Sequence, residues 1–294
     1  VLRHNPATGD VLVGGAFSAM NNDFSYGYLA RLYSDGTQDT SFQPRVNGTV
    51  VEVVQTSGGK ILIGGDFTSV GGVYRARMAR LLPDGQLDTA FDTAGGFNGT
   101  VRAMLPLADG STLVGGNFYN VNGFATSYMV RLRPDGLPDP SYVGRFNYYI
   151  NSIVPQADGK FVVSGDFTQI DSAPFGRIAR LLPDLTIDPS FDMHLGANGV
   201  VWETAPQLDG STIAIGNFTM FNGLPRERFV RLSGLSAAAG GELEFTTTRY
   251  LVDEGAGSVV VEVRRNGNRS AAVAVDYTTV NGSATARSEE HTSE

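Results

Sequence analysis

One pattern recurs five times in this chain at intervals of 49 to 51 residues. A chain so written folds into units that stack on one another rather than into a single irregular core. Each copy opens on a short apolar strand closed by a Gly-x-Phe corner, at Phe17, Phe67, Phe118, Phe167 and Phe218. An Arg-Leu pair follows 13 or 14 residues later, beginning at Arg31, Arg80, Arg131, Arg180 and Arg231. Then comes an Asp three residues before an aromatic: Asp39 and Phe42, Asp88 and Phe91, Asp139 and Tyr142, Asp188 and Phe191.

The punctuation within a copy is that of antiparallel strands. Val101 to Leu105 and Thr112 to Val114 flank Asp109-Gly110, a two-residue hairpin signal, and Asp158-Gly159 and Asp209-Gly210 stand at the equivalent place. A second turn, Pro83-Asp84-Gly85 or Pro134-Asp135-Gly136, follows the Arg-Leu strand, with Pro fixing φ and Gly accepting a positive one. Each copy therefore reads as three or four short strands without a helix. One such sheet cannot bury both faces alone, so neighbours must stack, and a ring of blades leaves few free edges. The expectation is an all-β chain: a β-propeller of about five repeats of roughly 50 residues over 1–232, or the C-terminal part of a larger ring. An open β-solenoid is the alternative.

The order strand, Gly-Gly-x-Phe, Arg-Leu-x-x-Asp-Gly-x-x-Asp-x-x-Phe, Asn-Gly-x-Val resembles the delta-60 repeat over residues 1 to about 235. That resemblance implies a β-propeller from a large secreted or cell-surface bacterial protein, and it assigns no chemistry. Residues 233–241 read as a Ser/Ala/Gly linker, after which the pattern stops. The segment 242–286 contains Val252-Asp253-Glu254, Val275-Asp276-Tyr277 and Gly282-Ser283-Ala284-Thr285-Ala286. It resembles the first half of a Calx-beta domain, which implies a truncated β-sandwich and an acidic calcium position at Glu254. The later strands that complete such a site lie beyond this sequence, and Asn281 stands where the family carries an acid, so the resemblance implies Ca2+ for a longer parent rather than for this fragment. Residues 287–294 resemble a translated sequencing adapter and are read as a non-native tail.

Composition narrows the function. The chain carries 22 basic and 30 acidic residues, a net charge of −8, and leaving out residues 287–294 removes one Arg and three Glu and leaves −6. A mildly acidic chain with no basic patch does not suit nucleic acid or an anionic membrane. No apolar run is long enough for a membrane span. With no Cys, disulfides, thiolate metal sites and cysteine nucleophiles are excluded.

The recurring charges are assigned to the blades. Arg31 is expected to pair with Asp39, Arg80 with Asp88, Arg131 with Asp139 and Arg180 with Asp188, the planar guanidinium matching the carboxylate. The Asp-Gly-x-x-Asp strings, such as Asp84 to Asp88, lack the ligand density of a calcium loop and suit turns instead. The five in-phase Phe residues read as wedges between blades. Where copies disagree, the scaffold dictates less, and Tyr26, Tyr28, Tyr74, Phe124 and Tyr128 lie in or beside such stretches as a candidate aromatic rim for a glycan or peptide. Of three His, His4 is near the start, His194 is in a loop and His291 is in the tail, so no Ser-His-Asp or His-based metal set assembles. No cofactor is expected. The chain reads as a noncatalytic scaffold displaying variable loops to protein or glycan. The competing reading is a glycan-acting enzyme with carboxylates gathered in the propeller channel.

Overall fold

The computed structural model describes residues 1–20, 23, 27–56, 58–191, 196–207, 211–232, 242–245 and 262–266. These residues are all-β, and among them no helix is long and apolar enough to cross a membrane. The chain divides into two compact units, Val1–Ala237 and Ala238–Glu294. The first is a β-propeller. In the second, β25 (Glu242–Phe245) pairs antiparallel with β26 (Val263–Asn266). Tyr26, His194, Glu254, Asn281, the linker 233–241 and the tail 287–294 lie outside the described residues.

Each blade is an antiparallel meander whose middle strand carries the apolar run of the repeat. Blade one holds β1 (Leu2–His4), β2 (Val11–Gly14) and β3 (Leu29–Leu32). Blade two holds β4 (Val50–Gln55), β5 (Ile61–Gly65) and β8 (Met78–Leu81), with β6 (Ser69–Val70) and β7 (Val73–Tyr74) forming a small second hairpin. Blade three holds β9 (Val101–Pro106), β10 (Thr112–Gly116), β13 (Met129–Leu132) and a fourth strand, β14 (Pro138–Val143), with β11 (Asn120–Val121) and β12 (Phe124–Ala125) as its hairpin. Blade four holds β15 (Ile150–Pro155), β16 (Phe161–Gly165) and β19 (Ile178–Leu181), with β17 (Gln169–Ile170) and β18 (Ala173–Pro174). Blade five holds β20 (Val201–Pro206), β21 (Thr212–Gly216) and β24 (Phe229–Leu232), with β22 (Met220–Phe221) and β23 (Leu224–Pro225).

The core lies between blades, not within them. Side chains alternate across a strand, so Ile61 and Ile63 of β5 join a cluster with Leu12, Leu29 and Phe42 of blade one. Leu62, between them, joins the next cluster with Val101, Val114 and Val130 of blade three. Two further clusters link blades three to four and four to five. Phe67, Phe118, Phe167 and Phe218 are each fully buried in one of these inter-blade clusters, whereas Phe17 in blade one is half-buried. Each such Phe contributes about 1.5–3 kcal/mol by burial.

A second device secures the loops. The Asn of each Asn-x-x stretch, at 47, 98, 147 and 198, accepts two backbone N–H groups from the corner after the Gly-x-Phe, as Asn47 Oδ1 does from Thr68 and Ser69 at 2.8 Å each. The approach is close enough that a Cβ on Gly99 would stand 1.8 Å from the Asn117 carbonyl oxygen.

The Arg and Asp of the repeat form a latch. In blade four, Arg180 Nε donates to Asp188 Oδ2 at 2.8 Å, and both side chains are buried. The other carboxylate oxygen accepts the Ser190 N–H and hydroxyl. Phe191, three residues on, lies under the guanidinium at 5.1 Å. Blades one and two repeat the arrangement with Arg31, Asp39 and Phe42 and with Arg80, Asp88 and Phe91. The fixed spacing of Asp and aromatic thus places an anion at the edge and a π face beneath one cation. The latch also ties blade to blade, because Arg31 Nη1 donates to the Pro83 carbonyl at 2.6 Å and Arg80 Nη1 to that of Pro134 at 3.0 Å. Gly85, in the turn after Pro83, has φ +91°, and a Cβ there would strike the Phe42 ring at 2.8 Å. Lys60 and Lys160 add a second cation to Asp88 and Asp188 at 2.8 and 3.0 Å.

Blade three keeps the expected pair only as a long ion pair. Arg131 bonds Asp109, with its Nε donating to Ser111 Oγ at 3.1 Å, while Asp139 Oδ2 stands 3.7 Å away. The reasons are local: Ser111 occupies the position of Lys60 and Lys160 and takes a hydrogen bond from the guanidinium, and the Asp139 segment is paired as β14. Tyr142, in place of Phe, turns its hydroxyl to Met129 Sδ at 3.4 Å.

Two predictions follow from the latch. Asp188→Ala strands a buried guanidinium and is expected to cost about 3–5 kcal/mol, whereas Asp139→Ala, partly exposed and loosely paired, is expected to cost about 1–2 kcal/mol; urea denaturation measures both. Burial opposes ionisation of Asp39, but hydrogen bonds from Ser41 and Arg31 outweigh it and hold its carboxyl at about 2, and Asp88 and Asp188 are depressed by similar bonds. A folded pKa below the unfolded value of about 3.9 means stability present above pH ~3.9 and lost as pH falls through the folded value. The midpoint of thermal unfolding should therefore drop steeply between about pH 4 and 2, and Asp39→Asn should flatten that slope.

Candidate functional site

The innermost strand of each of blades two to five carries a register irregularity opposite the end of the middle strand. In β4, Val50 faces Gly65 and Glu52 faces Gly64, so Val51 is an extra, bulged residue. The same count singles out Arg102 in β9, Asn151 in β15 and Trp202 in β20. A bulge re-aims its side chain, and all four residues line one cavity of about 690 Å³ walled by the innermost strands of all five blades. That volume is in the range that holds small-molecule ligands.

The cavity is rich in charge. Arg3 of β1 donates through Nη2 to Glu52 Oε1 at 3.0 Å and through Nε to the Val53 carbonyl at 2.9 Å. Four-fifths of the Glu52 side chain is covered, its relative exposure being 21%. Burial pushes its carboxyl up to about 7, with Arg3 opposing the shift and the charge of Glu203 adding to it. Glu203 is exposed in the same cavity and, like Arg102 and Trp202, makes no hydrogen bond or ion pair among the described residues. Asn151 donates through Nδ2 to the Val201 carbonyl at 3.1 Å. Ser152 and Thr204 share a buried hydroxyl hydrogen bond at 3.1 Å that ties the innermost strands of blades four and five.

Among the described residues no ring contact joins any two of those expected to form an aromatic rim. Tyr28 and Tyr128 occupy equivalent positions two blades apart, each with positive φ and each partly buried against an inter-blade cluster. Tyr74 and Phe124 sit on the small hairpins of blades two and three, and Tyr74 is exposed. What the structure brings together is Tyr128 with Tyr148 and Tyr149: the latter two stack at 4.0 Å, and Tyr128 lies 5.7–6.0 Å from both. Tyr148-Tyr149 replaces the Gly-Thr of the second and third blades, a departure legible in the sequence. The bulge residues were also written there, as the position after the Val or Ile that opens each innermost strand, where copies read Val, Arg, Asn and Trp.

Among the described residues no three His, Cys, Asp or Glu side chains gather as a metal site. Asp84 and Asp135 cap their own turns, accepting the N–H of Gln86 at 2.9 Å and of Leu137 at 3.0 Å.

Glu52 generates a prediction of opposite sign to that for Asp39. Its folded pKa lies above the unfolded value of about 4.3, so the neutral form favours folding. Stability is full below pH ~4.3 and declines as pH rises to about 7, where the penalty saturates. Glu52→Gln should remove that decline in a series of thermal unfolding curves between those limits.

Residues 7–42, 57–91, 107–142 and 156–191 match the family described as domain of unknown function DUF5122 β-propeller. Three matches end on the Phe of the latch and one on Tyr142. No curated protein matches the chain. Among solved structures, the WD40 β-propeller domain of Doa1 is similar at 14% identity and a TM-score of 0.50, covering 80% of this chain and 63% of that one. The extracellular domain of BT3049 from B. thetaiotaomicron is similar at 12% identity and a TM-score of 0.50, covering 93% and 34%. This chain thus spans less than two thirds of either neighbour.

Proposed function

With residues 7–191 built from DUF5122 β-propeller repeats, we propose that this chain is a noncatalytic interaction module of a secreted or cell-surface bacterial protein. Its repeats are of the delta-60 kind, and 242–286 is the opening of a Calx-beta-like sandwich. The observation that carries the reading is a division of labour. The recurring Arg, Asp, Phe and Asn side chains are occupied in latches, wedges and clamps, while the residues that differ between copies face the cavity or the loops. A rigid frame that varies at its cavity and loops suits recognition of protein or glycan. The surface location draws support from the delta-60 resemblance and from the extracellular domain of BT3049. Calcium at Glu254, which the Calx-beta resemblance implies, belongs to the same proposal.

One observation favours the enzyme reading, namely that Glu52, raised toward neutrality, shares the cavity with Glu203. A general acid beside an ionised carboxylate is what glycoside hydrolysis uses. Against it, Glu52 is already bonded by Arg3. The readings separate on an array of glycans and matrix proteins probed with the full chain. The module reading expects captured ligand and no release of new reducing ends on long incubation. Hydrolysis abolished by Glu203→Gln would overturn it.

A further inference from the structure

The cavity holds two exposed groups that the scaffold does not require. The repeat places a bulge in the innermost strands of blades two to five but does not dictate its identity, which changes from Val51 to Arg102 to Asn151 to Trp202. Trp202 is 53% exposed and is the sole tryptophan of the chain. Leaving an indole face and a guanidinium open to solvent gains the fold nothing, and both are favoured recognition groups.

The remaining wall groups narrow the ligand. Asn151 has its amide N–H on Val201, which leaves its carbonyl oxygen as an acceptor, and Glu203 is acceptor-only when ionised. Arg3 is already committed to Glu52 and the Val53 carbonyl. The cavity therefore offers acceptors that need hydroxyl donors, one uncommitted cation that suits an anion, and one flat apolar face. A hydroxyl-free anion leaves Glu203 facing like charge, and a neutral apolar ring leaves Arg102 without a partner.

We propose that the channel cavity binds an acidic saccharide, with a sugar ring on Trp202, its carboxylate on Arg102 and its hydroxyls donating to Glu203 and Asn151. This rests on the interaction-module reading and names the site and ligand class for it.

Because Trp202 is the sole indole, its fluorescence reports occupancy of the cavity directly. The full chain is titrated with trigalacturonate and, separately, with neutral maltotriose. A saturable change with trigalacturonate is expected, at least about tenfold tighter than with maltotriose, the scale of one charge-assisted contact. Arg102→Gln, at an exposed position, should keep the thermal midpoint and weaken trigalacturonate by a similar factor. Trp202→Phe, followed by calorimetry, should weaken both sugars. Equal response to the two sugars, or no response to either, overturns the proposal. The same chain on the glycan and matrix-protein array separates the two failures. Capture unaffected by Arg102→Gln leaves the module reading standing without this site, and no capture at all removes both.

Discussion

The cation in the Arg-Leu strand is the point on which the propeller hangs. A blade edge would otherwise end in unpaired backbone and an open turn. Arg180 instead meets a carboxylate eight residues on, a ring three residues after that, and a backbone carbonyl returns the Asp188 N–H at 2.8 Å. In blades one and two the same guanidinium reaches the following blade's Pro carbonyl, so a local motif becomes an inter-blade tie. Burying a charge is favourable only when it is paired and hydrogen-bonded. Here the Lys, Ser and backbone donors around Asp188 meet that condition. The apolar clusters supply most of the burial, and in blades one and two the latch adds a hydrogen bond to the next blade.

Much of this was legible because repetition substitutes for comparison among relatives. Five copies in register mark Phe67 or Arg80 as scaffold without a second sequence. What escaped was conditional. Arg131 keeps only a long ion pair to Asp139 and bonds Ser111 and Asp109 more closely, where blades two and four carry Lys at the position of Ser111, a difference of one residue whose consequence depends on the surrounding geometry. The bulged residues escaped for a different reason: a bulge is a property of pairing register, and a strand read alone gives no sign that Arg102 has no partner across the ladder. Tyr28 and Tyr128 were assigned to a rim because they are aromatic in variable stretches, yet both hold a positive-φ corner position shared with Arg77 and Arg177 and pack inward.

The cavity shows the same logic from the opposite side. Positions that the latch and wedges do not constrain collect there, one from each of blades two to five, and their chemistry ranges from apolar to cationic to aromatic. A succession of similar blades thereby makes an asymmetric site from a repeated frame. The acidity of the chain as a whole and the local presence of Arg3 and Arg102 are compatible because the two cations sit where the walls converge.

The central claim, that the Arg-Asp latch acts as one energetic unit within its blade, is tested most directly by a double-mutant cycle on Arg180→Met and Asp188→Asn, with each stability taken from urea unfolding. The account predicts a coupling energy above about 2 kcal/mol, as expected for contacting members of one buried network. Additivity within about 0.5 kcal/mol would contradict it and leave the apolar clusters alone to hold the ring.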